Sequence, residues 1–446
     1  MRIILDIPIS LGEVIRITGG VCNTACTERQ IIAITTDSRE CEDGDLFFSL
    51  ASSPEKRIKH ATEAEQCGAY TVCDGCGFIT VENTELALLR LGAGYKKLLP
   101  RLAHTVAITG SVGKSTATRY TASLLSLSHR VCSTVGNFNN RIGISLSVLC
   151  ARRDTEMLVL EMGMNHRGEI AEMAELIQPD LCVITNVGNA HIGNLGSREA
   201  ISLAKREIIT DRATGVIVPC DEPLLKDVRH RLGASLDDTG DFSLFKSGED
   251  YSFKAGKKVI DGIIPAISGG HNLYNLLIAG AVAAFLGASL SDIKRGLNSL
   301  SDSLSGTEIT DCGVFTLIDD SYNSSPEAAE AMLAYLAKFP RPHSALLADM
   351  LELGDMAGEL HYSVGKRAAG LDRLYVTGKY AEYVALGAID AGMSAEAVRV
   401  IRECGKEELA RLLTEEAAGG TLLVKGSHST GLYEVTKILR RGTGRN

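Results

Sequence analysis

Three α/β domains in series is the fold class this sequence predicts, and three observations predict it. The chain has 446 residues, more than one hydrophobic core organises. From residue 104 onward, short apolar runs alternate with amphipathic stretches, the pattern of parallel strands covered by helices. The alternation is interrupted near residue 301 by SDSLSGTEITDCG, a Ser/Asp/Gly-rich connector without strong periodicity. The expected domains are 1–103, 104–303 and 304–446.

The first region carries short β-rich runs (QIIAITTDSR, DLFFSL) and a helix–strand alternation over 58–81. The second opens on the strand HTVAITG and repeats strand–helix units at MLVLEMG, LCVITNVG and GVIVPC. It closes on a long apolar helix (HNLYNLLIAGAVAAFLGA) and a polar one (SLSDIKRGLNSL). The third repeats the scheme, with strands at VFTLIDDS, SALLADM, RLYVTG and TLLVKGS and a helix at PEAAEAMLAYLAKF, a second doubly wound unit. Gly and Ser residues over 301–307 are expected to hinge it against the second.

Composition narrows the function. A hydrophobic fraction of 45% and a charged fraction of 23% are ordinary for a globular protein. A net charge of −9 without a long basic run argues against nucleic-acid binding. No apolar segment is long enough to span a bilayer, and the start MRIILDIPIS lacks the features of a signal peptide. A cytoplasmic monomer acting on small molecules, without nucleic-acid or membrane partners, is expected. The twelve cysteines are scattered and read mostly as small buried hydrophobes. Cys22, Cys26, Cys73 and Cys76 could together hold zinc, though their spacings match no zinc pattern closely.

The stretch AITGSVGKSTATRY (107–120) carries the chemistry. A strand ends at Thr109, Gly110, Ser111 and Gly113 make a turn in which glycine permits close backbone approach, and a helix begins at Lys114. Its first-turn amides and dipole favour a bound anion. Lys114 would reach terminal phosphates, Ser115 would bind Mg²⁺, and Thr116 continues the first turn. The general phosphate-loop spacing needs a glycine where Ile108 stands, so this loop is two residues tighter. The alternative is an ordinary glycine-rich strand–helix turn. Glu161 after MLVL lies at the carboxyl end of the sheet, where ligands bind in open α/β folds. His191 follows LCVITNVGNA, and Lys205 lies on a helix beyond it. Singly these read as a cap, a loop residue and a solvated face. Together with the loop they suit a metal–nucleotide site.

At this point the segment resembles the central domain of the Mur ligases, whose loop T-G-S/T-x-G-K-T/S matches residues 109–115. The blocks GNFNNRIG (136–143), EMGMNHRGEI (161–170) and TNVGNAHIGNLGSREAISLAKREI (185–208) agree, and GGHNLYN (269–275) resembles the adenine-side motif. DDSYNSSPEA (319–328), LADMLELGDMAGELH (347–361), TTDSRECEDGDLFFSL (35–50) and VKGSHST (424–430) resemble the branch that adds D-alanyl-D-alanine to a UDP-linked muramoyl tripeptide. The likeness is dense over 105–210 and 315–361.

The resemblance implies a small N-terminal α/β domain for the UDP-linked substrate, a central P-loop parallel-sheet ATPase domain and a C-terminal Rossmann-like domain. It implies ATP contacts at the loop and at His271, Asn272, Asn275, Asp319, Asp320, Tyr322 and Asn323. It implies UDP-substrate contacts at Asp37, Ser38, Arg39, Asn137, Asn139 and Asn140. Lys114, Glu161, His191 and Lys205 become the catalytic set. Ser115, Glu161, His191 and Lys205 become the Mg²⁺ set, with a CO₂-derived carbamate making Lys205 an anionic ligand. Two departures stand out: a Gly-Thr pair, Gly306-Thr307, where the family carries Gly-Arg, and an altered segment over 51–69. A Mur-like ligase with a different carboxylate and amine, and a nucleotide-binding partner protein that does not ligate, are the alternatives.

Overall fold

The computed structural model describes residues 1–22, 27–267, 270–301, 304 and 307–441, and of His271 only the backbone. Cys26, Gly306 and most of the expected hinge therefore lie outside the described residues. Among the described residues the strands form three separate sheets.

The first contains β1 (Arg2–Ser10), β2 (Gln30–Thr35), β3 (Leu46–Phe48), β4 (Tyr70–Asp74) and β5 (Ile79–Val81), side by side in chain order. Only the β1–β2 pair is antiparallel. Helix Pro54–Gln66 joins β3 to β4 and occupies the departing segment, started by Ser53, whose side chain accepts from Lys56 N.

The second contains β6 (His104–Thr109), β7 (Val131–Ser133), β8 (Met157–Glu161), β9 (Leu181–Ile184), β10 (Gly215–Pro219), β11 (Arg231–Ser235), β12 (Phe242–Ser247), β13 (Asp250–Ala255) and β14 (Lys258–Ile263). Their order is β14-β13-β12-β11-β10-β9-β6-β8-β7. From β7 to β12 every pairing is parallel, as the buried apolar runs predict. Beyond β12 the sheet becomes an antiparallel ribbon. The turn is tight because Ala255 pairs with Lys258, and Gly256 takes a left-handed φ of +58°.

The third contains β15 (Glu308–Asp311), β16 (Thr316–Asp320), β17 (His343–Leu347), β18 (Arg373–Thr377), β19 (Val398–Ile401) and β20 (Thr421–Lys425), ordered β15-β16-β20-β17-β18-β19. All pairings but that of edge strand β15 are parallel.

Helix Thr84–Leu98 ties the first two sheets together. A Cβ on its Gly92 would stand 3.1 Å from Ser145 Cα, so this helix and helix Arg141–Leu149 meet backbone to backbone. One turn on, the buried Tyr95 hydroxyl accepts from Ile7 N (3.2 Å) and donates to Ala151 O (3.2 Å). No described helix is long and apolar enough to cross a membrane. The Cys73 and Cys76 sulfurs lie 2.8 Å apart, and burial pushes the Cys73 thiol up to about 12. Among the described residues no group of three or more His, Cys, Asp or Glu side chains is placed to hold a metal.

Candidate active site

Parallel strands deliver their carboxyl ends to one edge of a sheet, and the loop after central β6 lies there. β6 ends at Thr109 and the next helix spans Lys114–Leu125, as the sequence predicts. Gly110 has φ +153°, and a Cβ on it would lie 1.8 Å from Thr185 Oγ1. Gly113 has φ +82°, and its Cβ would lie 2.6 Å from Asn275 Oδ1. Neither site admits a side chain. Asn186 braces the loop. Its Oδ1 accepts from Ser111 N (3.0 Å) and Val112 N (2.9 Å), and its Nδ2 donates to Val112 O (2.9 Å). Thr185 Oγ1 donates to the same carbonyl (2.6 Å), and Gly188 N donates to Ser111 Oγ (2.9 Å). Lys114 Nζ folds back onto Gly110 O (2.9 Å). Burial lowers its pKa, and the charges of Glu161 and Glu352 oppose that shift. Ser115 is half-buried and Thr116 buried in the first turn.

Glu161, the last residue of β8, is 1% exposed. Its Oε1 accepts from Asn139 Nδ2 (2.7 Å), while its Oε2 is buried without a hydrogen-bond partner among the described residues. A buried carboxylate oxygen left in that state is costly and suits a cation. Lys205, on helix Arg198–Arg206, is equally buried. Burial first, and the charge of Lys114 second, hold its amine well below the usual lysine range.

The third domain closes one side of this site. Glu327 Oε1 accepts from Asn189 N (2.7 Å) and Asn189 Nδ2 (2.8 Å). His191 Nδ1 donates to Glu352 Oε2, and Gly193 N donates to Glu352 O (2.9 Å). The bond from His191, with further help from His166 and Lys114, holds the Glu352 carboxyl below the usual range. Asn137 Nδ2 donates to the Tyr322 hydroxyl, whose pKa is raised by burial and then by Glu161.

The remaining expected residues have local partners. Asp319 accepts from Ser321 N (3.1 Å) and Oγ (2.6 Å) and pairs with Arg440. Asp320 accepts from Lys425 Nζ (2.5 Å), which also donates to Asn323 O (2.9 Å). Asn272 and Asn275 are buried on helix Gly270–Phe285, while the His271 side chain lies outside the described residues. Asn140 caps helix Arg141–Leu149 through Gly143 N (2.9 Å). On the first sheet Asp37 chelates Arg39 Nε (2.8 Å), and Ser38 Oγ donates to Glu63 Oε2 (3.0 Å). Thr307 is half-buried, and its neighbour Glu308 pairs with Arg440 (2.5 Å), a cation supplied from the C-terminal helix. Asn186, Glu327 and Glu352 were not singled out by sequence. They lie inside the quoted blocks, but residue type alone did not mark them.

Known proteins resemble this chain along most of its length. The Mur ligase middle domain matches residues 108–283, and the Mur ligase glutamate ligase domain matches 307–428. The UDP-N-acetylmuramoyl-tripeptide–D-alanyl-D-alanine ligase of Bacillus subtilis is 32% identical over 96% of this chain and 97% of its own. The enzyme of that name from Escherichia coli is 29% identical over 92% and 93%. A crystal structure of MurF from Acinetobacter baumannii superposes with a TM-score of 0.85 at 25% identity, covering 98% of this chain and 99% of that one. MurF from Thermotoga maritima in complex with ADP gives 0.78 at 26% identity, covering 92% and 97%. The chain belongs to the Mur ligase family of ATP-dependent amide ligases.

Proposed function

We propose that this protein joins D-alanyl-D-alanine to UDP-N-acetylmuramoyl-tripeptide at the expense of ATP, in the supply of peptidoglycan precursor. The observation that carries the reading is the likeness, over nearly the whole chain, to relatives that bear this name. We place it in the cytoplasm as a monomer, with domains bounded near 103/104 and 303/304.

A carboxylate is a poor acyl donor, so the γ-phosphoryl group of ATP is first transferred onto it. The amine of the dipeptide attacks the acyl carbon and the C–O bond to phosphate breaks. Amide, ADP and phosphate are released, and the amine gives up a proton. Positioning and charge neutralisation dominate such transfers. The first-turn amides after Gly113 receive phosphate oxygens. Lys114 leaves the Gly110 carbonyl to meet the terminal phosphate. Mg²⁺ bound with ATP would spread the phosphate charge, and Ser115 and the orphan Glu161 oxygen would hold one ion, with His191 serving a second. Burial lowers the pKa of Lys205, and the neutral amine is the form that would attack CO₂. An N–C bond would form, a proton would leave, and the resulting carbamate would supply an anionic oxygen to that set. We assign the UDP-linked substrate to the first domain around residues 37–39, with Asn137, Asn139 and Asn140 at the boundary with the nucleotide site.

Phosphate release, with the muramoyl tripeptide, D-alanyl-D-alanine and ATP each omitted in turn, tests the reading. Release that requires all three supports it. Release with another acid or amine instead would favour a different substrate pair, the alternative motivated by Thr307 and segment 51–69. ATP binding without amide product would favour a non-ligating protein. Lys205→Ala is expected to abolish turnover and a ¹³C carbamate resonance obtained from labelled bicarbonate. Full activity in that variant would remove Lys205 from the mechanism.

A further inference from the structure

Two non-glycine residues with left-handed backbone face each other across the second and third domains. His191 has φ +66° and Glu352 has φ +62°. Such conformations are uncommon for these residue types and persist where the surroundings over-determine them. Here the surroundings do. His191 Nδ1 bonds to Glu352 Oε2, Gly193 N donates to Glu352 O (2.9 Å), and a Cβ on Gly193 would lie 2.3 Å from Gly354 N. Behind Glu352 the loop is fastened to its own domain. Met350 N donates to His361 Nε2 (2.9 Å) and Leu351 N to Ser427 Oγ (3.2 Å). The Asp349 carboxylate accepts from Lys379 N (2.8 Å) and Tyr380 N (3.0 Å). Glu352 is therefore presented by a fixed platform.

We propose that Glu352 is the positioning residue that sets the tautomer and ring plane of His191 when the third domain closes on the second. A carboxylate on Nδ1 leaves Nε2 as the nitrogen available to the reaction site. Because the bond spans two domains, His191 is set only in the closed state, which ties readiness for chemistry to closure. The inference rests on the ligase reading above.

The test compares wild type, Glu352→Ala, Glu352→Gln, Glu352→Asn, His191→Ala and the double alanine variant by phosphate release and by ¹⁵N-histidine spectra. Glu352→Ala should lower kcat by about 10- to 100-fold and leave KM for ATP within about threefold. Glu352→Gln, which can still reach the ring, should recover part of the loss. Glu352→Asn, which tolerates the left-handed backbone but is too short, should not. The double variant should be no slower than His191→Ala alone. The resonance missing in His191→Ala should report Nδ1–H in wild type and shift toward Nε2–H in Glu352→Ala. Wild-type kcat in Glu352→Ala, rescue by Asn, losses that multiply in the double variant, or an unchanged tautomer would each overturn the inference. A wild-type protein inactive on the full substrate set would instead defeat the ligase reading, and the tautomer would still decide the role of Glu352.

Discussion

Lys114 sits at the centre of the residue-scale argument because its ammonium is held by its own loop, with Glu161 and Glu352 as the nearby negative charges. Lys114→Met should keep the fold and lower phosphate release by about 10²- to 10³-fold, the usual range for losing a charge-stabilising group. Melting temperature and turnover measured on one preparation check both halves. His361 gives a prediction in pH. Its Nε2 accepts from Met350 N and its Nδ1 donates to Ala357 O (2.6 Å), an arrangement that only the neutral ring supplies. Burial lowers its pKa from 6.5. Below pH 6.5 the unfolded chain binds a proton that the folded chain resists, so stability falls with pH until the lower folded value is passed. His361→Gln, whose amide can both accept and donate, should flatten melting temperature between pH 7.5 and 5.5 relative to wild type.

At the scale of elements, the loop after β6 and the helix after it form one unit. Gly113→Ala meets both a left-handed φ and Asn275 Oδ1 at 2.6 Å. We expect ADP affinity, measured by calorimetry, to fall at least about tenfold, the equivalent of ~1.4 kcal/mol. Most elements were legible. MLVLE and LCVI are buried throughout, and uninterrupted apolar runs of that length read directly as parallel strands. The ribbon β12–β14 was not legible, because DYSFKA and KVIDGI mix lysine and aspartate with apolar residues on a partly exposed surface. The turn after β6 and the placement of Glu161 at the end of β8 were readable because strand and helix boundaries reflect local structure, whereas Lys205 reads singly as a solvated face and its burial comes from tertiary packing. The pairing of His191 with Glu352 was not. It spans 161 positions and depends on how two domains meet.

At the scale of the whole molecule, the first two sheets share helix Thr84–Leu98, while Glu327, Glu352 and Tyr322 join the third domain to the second through Asn189, His191 and Asn137. Glu327 holds Asn189 through two bonds, so Glu327→Ala should favour the open arrangement. In small-angle scattering with ADP the variant should keep a larger radius of gyration than wild type, and identical curves would show that this contact does not govern closure. The brace formed by Asn186 and Thr185 bears on the same cycle. With the polar groups of residues 111 and 112 already engaged by Thr185 and Asn186 just after β9, the loop has little conformational freedom left to lose. The entropy of ordering it belongs to folding and not to nucleotide capture. A nucleotide bound there as proposed would then be released and replaced without rebuilding the loop.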